Sequence, residues 1–179
     1  MRKVLYIFGL LTDADVNWIA ETGARRRIKD GEVLIHEGRH VDSIILLLQG
    51  VFSVSIAGAG EVARLGVGEF VGEMSYVDSA PPSATVTARG DCLALVIDKE
   101  ALSRKLDADV AFGCRFYRGL AILLADQLRG TERRLSYGSS ADLEKDTVLK
   151  DELDMAILDH VSMAGHRFDR ILKTFIGAG

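Results

Sequence analysis

Proline is nearly missing from this chain: its two copies, Pro81 and Pro82, stand side by side, so proline imposes a rigid bend at one place only. Cysteine is equally scarce. Cys92 and Cys114 lie in apolar stretches with no metal-ligand spacing and no C-x-x-C pair, which excludes a disulfide framework and predicts reduced, buried thiols in a cytoplasmic protein. Positive charge is also short. Against 26 Asp and Glu there are 22 Lys and Arg, a net charge of −4, so no general positive field exists to gather DNA or an anionic membrane surface. No apolar run approaches the ~20 residues that cross a bilayer. The run Val4–Leu11 is shorter still, and the Thr12-Asp-Ala-Asp15 that follows is no cleavage site, so it reads as a packed N-terminal segment. Nucleophile elbow, Walker loop and Rossmann glycine pattern are all absent, and the expectation is a protein that is not an enzyme and holds no cofactor or metal.

Glycine, by contrast, is abundant and regularly placed. Short apolar runs alternate with Gly31, Gly38, Gly50, Gly58, Gly60 and Gly66, which is turn punctuation between strands and predicts an antiparallel barrel or sandwich. Two further strands are predicted near Ser83 to Arg89 and Cys92 to Ile97. His36-Glu-Gly-Arg-His40 matches H-E-x-x-H, but that zinc motif needs a helix to bring both imidazoles to one face, and here it follows the strand-like Val33–Ile35 and contains a glycine.

Helices flank this β region. Thr12-Asp13 caps a helix from about 14 to 22 that Gly23 ends, and Asp98 caps a short helix over 99–106. A long helix is predicted over 108–135, in which Val110, Cys114, Tyr117, Ala121, Leu124, Leu128, Thr131 and Leu135 step by alternating four and three, a heptad seam. Beside it runs a second apolar row, Phe112, Phe116, Leu120 and Leu123, so one side suits the β region and the other a second helix. An acidic connection leads to a last helix over about 152–176, where Ile157, Val161, Ala164, Phe168, Ile171 and Phe175 repeat the spacing. It packs either on its own domain or between protomers.

The stretch Gly72-Glu-Met-Ser-Tyr-Val-Asp-Ser-Ala-Pro-Pro-Ser-Ala-Thr-Val86 combines a glycine, a carboxylate, half a helical turn, a bend and a strand. Taken with Gly31…Glu37-Gly38…Gly50 and Gly68-Glu-Phe-Val-Gly-Glu73, it resembles the cyclic nucleotide-binding domain. This is the β-roll of catabolite activator proteins, kinase regulatory subunits and nucleotide-gated channels. The resemblance covers residues 5 to 136. It implies an α+β fold: N-terminal helices, an eight-stranded antiparallel β-roll over about 24–97, a phosphate-cassette helix, then a hinge helix and a long helix over 99–136. Residues 1–136 would be that domain, and 137–179 an acidic linker with one amphipathic helix.

The same resemblance implies a site. Gly72 would let the backbone approach a ligand, Glu73 would accept a hydrogen bond from a ribose hydroxyl, and the amides of Met74 and Ser75 would face the phosphate. The family's Pro-Arg-Ala-Ala-Thr becomes Pro81-Pro82-Ser83-Ala84-Thr85 here, so Pro82 stands where the phosphate-binding arginine belongs and removes both guanidinium and backbone N–H. No Lys or Arg occurs between Leu65 and Ala88. Losing a charge-assisted contact costs on the order of 1.5–3 kcal/mol, roughly ten- to a hundredfold in affinity. Arg64 is the better substitute; Arg89 shares Ser83's strand face but lies about 20 Å along it. Arg115, Arg118 or Arg129 could contribute to a lid over the base. The implied ligand is cAMP or cGMP. The implied partner arrangement is a homodimer through the long helix, with no DNA, since only about forty residues follow where relatives carry a winged helix-turn-helix. The competing expectation is a β-roll that has lost nucleotide binding and serves as a dimerisation or docking module.

Overall fold

The computed structural model describes residues 4–136 and 155–176. Helix α1 (Val4–Leu10) is followed by α2 (Asp13–Thr22), which opens on a capping box: Asp15 N–H donates to Thr12 Oγ1 at 3.2 Å, and Thr12 N–H to Asp15 Oδ2 at 2.7 Å. The chain then enters six strands: β1 (Ala24–Ile28), β2 (Val33–Ile35), β3 (Ser43–Ile56), β4 (Gly60–Leu65), β5 (Phe70–Val71) and β6 (Thr85–Asp98). A four-residue helix, α3 (Met74–Val77), interrupts them. They form one antiparallel sheet in the order β1-β6-β3-β4, with β2 added on β6 and β5 on β3.

Among the described residues the expected eight strands therefore appear as six. The reason lies in β3 and β6, each of fourteen residues and each the merger of two predicted strands. They pair from Ser43↔Asp98 to Leu47↔Ala94, shift register around Gln49 and Val51, and resume from Val51↔Arg89 to Ser55↔Thr85. Bulges beside Gly50 and Gly90 bend the ladder without ending it. Strand β6 also starts at Thr85 rather than Ser83.

The unbroken apolar run Ile44-Ile-Leu-Leu-Leu48 is explained by burial on both faces. Ile44, Leu46 and Leu48 join a core shared with the helices, while Ile45 and Leu47 join the interior of the roll with Ile35, Phe52, Val71 and Val86. After β6, Asp98 Oδ1 accepts from Ala101 N–H at 2.7 Å and caps α4 (Lys99–Ala108). Asp109 alone separates it from α5 (Val110–Ser136).

Phe112, Phe116, Leu120 and Leu123 of α5 are buried, and α1 comes so close that a Cβ on Gly119 would lie 2.9 Å from Ile7 Cα. The heptad row points elsewhere: Val110 is 79% and Leu128 61% exposed, with Cys114, Tyr117 and Ala121 also in solvent and Leu124 half-buried. Of the two thiols expected to be buried, Cys92 is and Cys114 is not, because it belongs to this outward row. The side chains of Thr131 and Leu135 lie outside the described ones, as do residues 137–154.

Helix α6 (Met155–Ile176) packs on the chain's own N-terminus. Ala164, Phe168 and Ile171 are buried, with the Phe168 ring 6.3 Å from that of Phe8. Arg167 Nη1 donates to the Phe8 and Gly9 carbonyls at 3.0 and 3.4 Å, and Nε to Asp13 at 2.7 Å. The end of α1, whose carbonyls have no helical partner, is thus capped from α6. The side chains of Ile157 and Val161 lie outside the described ones. Among the described residues no helix is long and apolar enough to cross a membrane.

Candidate functional site

Gly72 ends β5 at a φ of +86°, and a Cβ there would meet the Ser43 carbonyl oxygen at 2.5 Å. What comes close to this glycine is strand β3; the turn into α3 needs glycine whatever else sits nearby. Glu73 precedes α3 and is 6% exposed. Its Oε1 accepts from Gln127 Nε2 of α5 at 3.4 Å. Met74 is exposed, and Ser75 is buried, its hydroxyl donating to the Gly72 carbonyl at 3.2 Å.

Two further contacts bind α3 to the helices that follow the sheet. Lys99, the first residue of α4, donates from Nζ to Ser75 Oγ at 2.8 Å. Tyr76 OH lies 3.1 Å from Ser103 Oγ of α4, and its ring meets Phe116 of α5 edge-on at 6.4 Å. Burial pushes the Tyr76 phenol up, and it pushes the Lys99 ammonium down against the opposing pull of Asp42, Glu73 and Asp78. The ties from Glu73, which opens α3, and from Ser75 and Tyr76 within it make α3 a junction with α4 and α5. Gln127, Lys99 and Ser103 were invisible to the sequence reading because each lies 24 or more residues from its partner.

The bend after α3 is held separately. Ala80 N–H donates to Asp78 Oδ1 at 2.9 Å, and the Pro82 carbonyl accepts from Gly38 N–H at 2.8 Å. Ser83 is exposed and Ala84 half-buried, while Thr85 Oγ1 accepts from Glu37 N–H at 3.1 Å. Glu37 Oε2 in turn accepts from Ala57 N–H at 2.8 Å, fastening the β3–β4 hairpin. The H-E-x-x-H motif lies in the turn between β2 and β3, with Gly38 at a φ of +71°, so its imidazoles share no helical face.

Arg64, the expected substitute cation, is spent on Glu61: Nε donates to Oε1 at 2.6 Å. Arg89 Nη2 donates to Oε2 of the same carboxylate at 2.9 Å, and Ser53 Oγ to that oxygen at 2.6 Å. The Ser53 hydroxyl and the two guanidiniums hold the Glu61 carboxyl down to about 2. Of the lid candidates, Arg115 is engaged with Asp15 of α2.

Two of the nine residues singled out from the sequence border different recesses. Glu73 borders an apolar crevice of about 10 Å³ together with Ile7, Ile44, Phe70 and Phe116, the room of a single water. Thr85 borders an open groove of about 610 Å³ with Glu37, Gly38, Ser55, Ile56 and Gly58.

Residues 25–109 match the family described as the cyclic nucleotide-binding domain. A cGMP-dependent protein kinase of Toxoplasma gondii is 33% identical over 99 residues, 55% of this chain and 10% of the kinase. A cAMP-dependent protein kinase regulatory subunit of Hypocrea atroviridis is 30% identical over 100 residues, 56% of this chain and 21% of the subunit. The chain thus spans a small part of these relatives. A crystal structure of a cyclic nucleotide-binding domain from Methylobacillus flagellatus superposes with a TM-score of 0.66 over 78% of this chain and 84% of that one, at 24% identity. Through residues 25–109, a little under half of its length, the chain is similar to the cyclic nucleotide-binding domain family.

Proposed function

We propose that this chain is a regulatory cyclic nucleotide sensor, without catalysis of its own, in which a purine 3′,5′-cyclic monophosphate engages the segment 72–86 and α4 and α5 carry the signal. The observation that carries this reading is the wiring of α3: Glu73, Ser75 and Tyr76 each touch α4 or α5. A ribose hydroxyl on Glu73 competes with Gln127, so ligand binding and the position of α5 are linked, and the ligand shifts a population by its differential affinity. Met74, Ser75, Ser83, Ala84 and Thr85 are the remaining proposed contacts, and Arg64 joins them only by leaving Glu61. The relatives include one named for cGMP and one for cAMP, which supports a purine cyclic nucleotide and leaves both as ligands to titrate.

Calorimetric titration with cAMP and with cGMP tests the reading. Binding of either, with altered amide exchange in α4 and α5, is the expected result. No heat and no thermal shift at millimolar ligand overturns it.

A second reading, a dimerisation module, is favoured by the uncovered row Val110, Cys114, Tyr117 and Leu128 on α5. The readings differ in whether nucleotide binding is retained, and they share the dimer, which in the sensor would bring the signal to a second copy.

A further inference from the structure

The weakness of a nucleotide site here is charge. Pro82 has displaced the arginine, and Arg64 and Arg89 both sit on Glu61. Yet one cation does reach α3, and it arrives from outside the segment 65–88: the Lys99 ammonium, 2.8 Å from Ser75 Oγ.

Its base is fixed. Lys99 N–H donates to the Asp42 carbonyl at 2.9 Å, and Asp98 caps the helix that Lys99 opens. The ammonium is half-buried, and desolvation disfavours its charge. An ammonium carries three donors. One goes to Ser75, and the other two bond to no protein atom among the described residues. A partly desolvated cation with unspent donors, next to a cassette emptied of basic residues, is placed to receive an anion.

Building on the cyclic nucleotide reading, we propose that Lys99 is the phosphate-binding cation of this site, replacing from the hinge helix the arginine that Pro82 removed. Its ammonium is a point charge and does not give the bidentate grip of a guanidinium. Asp42, Glu73 and Asp78 already act on it, so a phosphate shares it with three carboxylates and binds with modest affinity. Because Lys99 is the first residue of α4, phosphate capture acts on the hinge directly.

The test is calorimetric titration of cAMP, or of cGMP if that is the ligand bound, into the full chain and into Lys99→Gln and Lys99→Arg, with thermal melts of all three. We expect Lys99→Gln to lose about tenfold in affinity, the size of one lost charge-assisted hydrogen bond, and Lys99→Arg to stay within about threefold of the wild type. Salt reports charge independently of packing: affinity should fall with sodium chloride more steeply for the wild type than for Lys99→Gln. A loss below threefold in Lys99→Gln, or equal salt slopes, overturns the role of Lys99 and leaves the nucleotide reading standing. A wild type that binds neither nucleotide overturns both.

Discussion

Arg115 grips Asp15 through two hydrogen bonds, 2.8 Å from Nε and 3.0 Å from Nη2, joining α5 to α2 across a hundred residues. Burial pushes the Asp15 carboxyl up, but the Arg115 guanidinium and the Thr12 backbone and hydroxyl outweigh it, and the net direction is down. A carboxyl held lower in the folded state stabilises fully above its unfolded pKa of about 4, and that stability is lost as pH falls through the folded value. Arg115→Ala should cost on the order of 2 kcal/mol in urea unfolding at pH 7. The difference from wild type should shrink as pH drops below about 4. An undiminished difference in acid contradicts this account.

The two apolar rows of α5 should separate stability from association. Phe112 is fully buried, and Phe112→Ala should cost about 3–5 kcal/mol. Leu128 is exposed, and Leu128→Ser should leave monomer stability within about 0.5 kcal/mol. In sedimentation the same Leu128 variant should lower the mass of any dimer, whereas an unchanged mass removes the seam from the interface.

Glu61 makes an acid-resistant carboxylate on the sheet surface. Side-chain carboxyl shifts followed by NMR should keep it ionised until about pH 2. Ser53→Ala, which removes one of its three donors, should raise that midpoint toward the ordinary glutamate value near 4.3. Titration at 4 or above in the wild type contradicts the three-donor geometry.

Most of the scaffold was legible because its causes are local. Thr12 and Asp98 announce their helices through side-chain oxygens within one turn, and glycine spacing marks the strands. The strand count was not legible, since whether Gly50 ends a strand or bends it depends on the next residue, Val51, pairing with Arg89, 38 positions later. Gly72 was singled out, but its reason, the Ser43 carbonyl beneath it, needs β3 in place. The sequence points to Arg64 by its reach, and what it does not show is that Glu61, three positions away, competes for the same guanidinium. Lys99 was not legible because it lies 24 positions beyond Ser75, and only the fold brings the start of α4 against α3.

The seating of Arg167 on the Phe8 and Gly9 carbonyls, 159 and 158 positions upstream, also sets an order of assembly. On the ribosome, the last turn of α1 is made long before its cap. At 5–20 residues per second that interval is roughly 8 to 30 s. For that time the greasy side of the first helix facing Phe168 stays uncovered, and a nascent-chain chaperone has its clearest opportunity there.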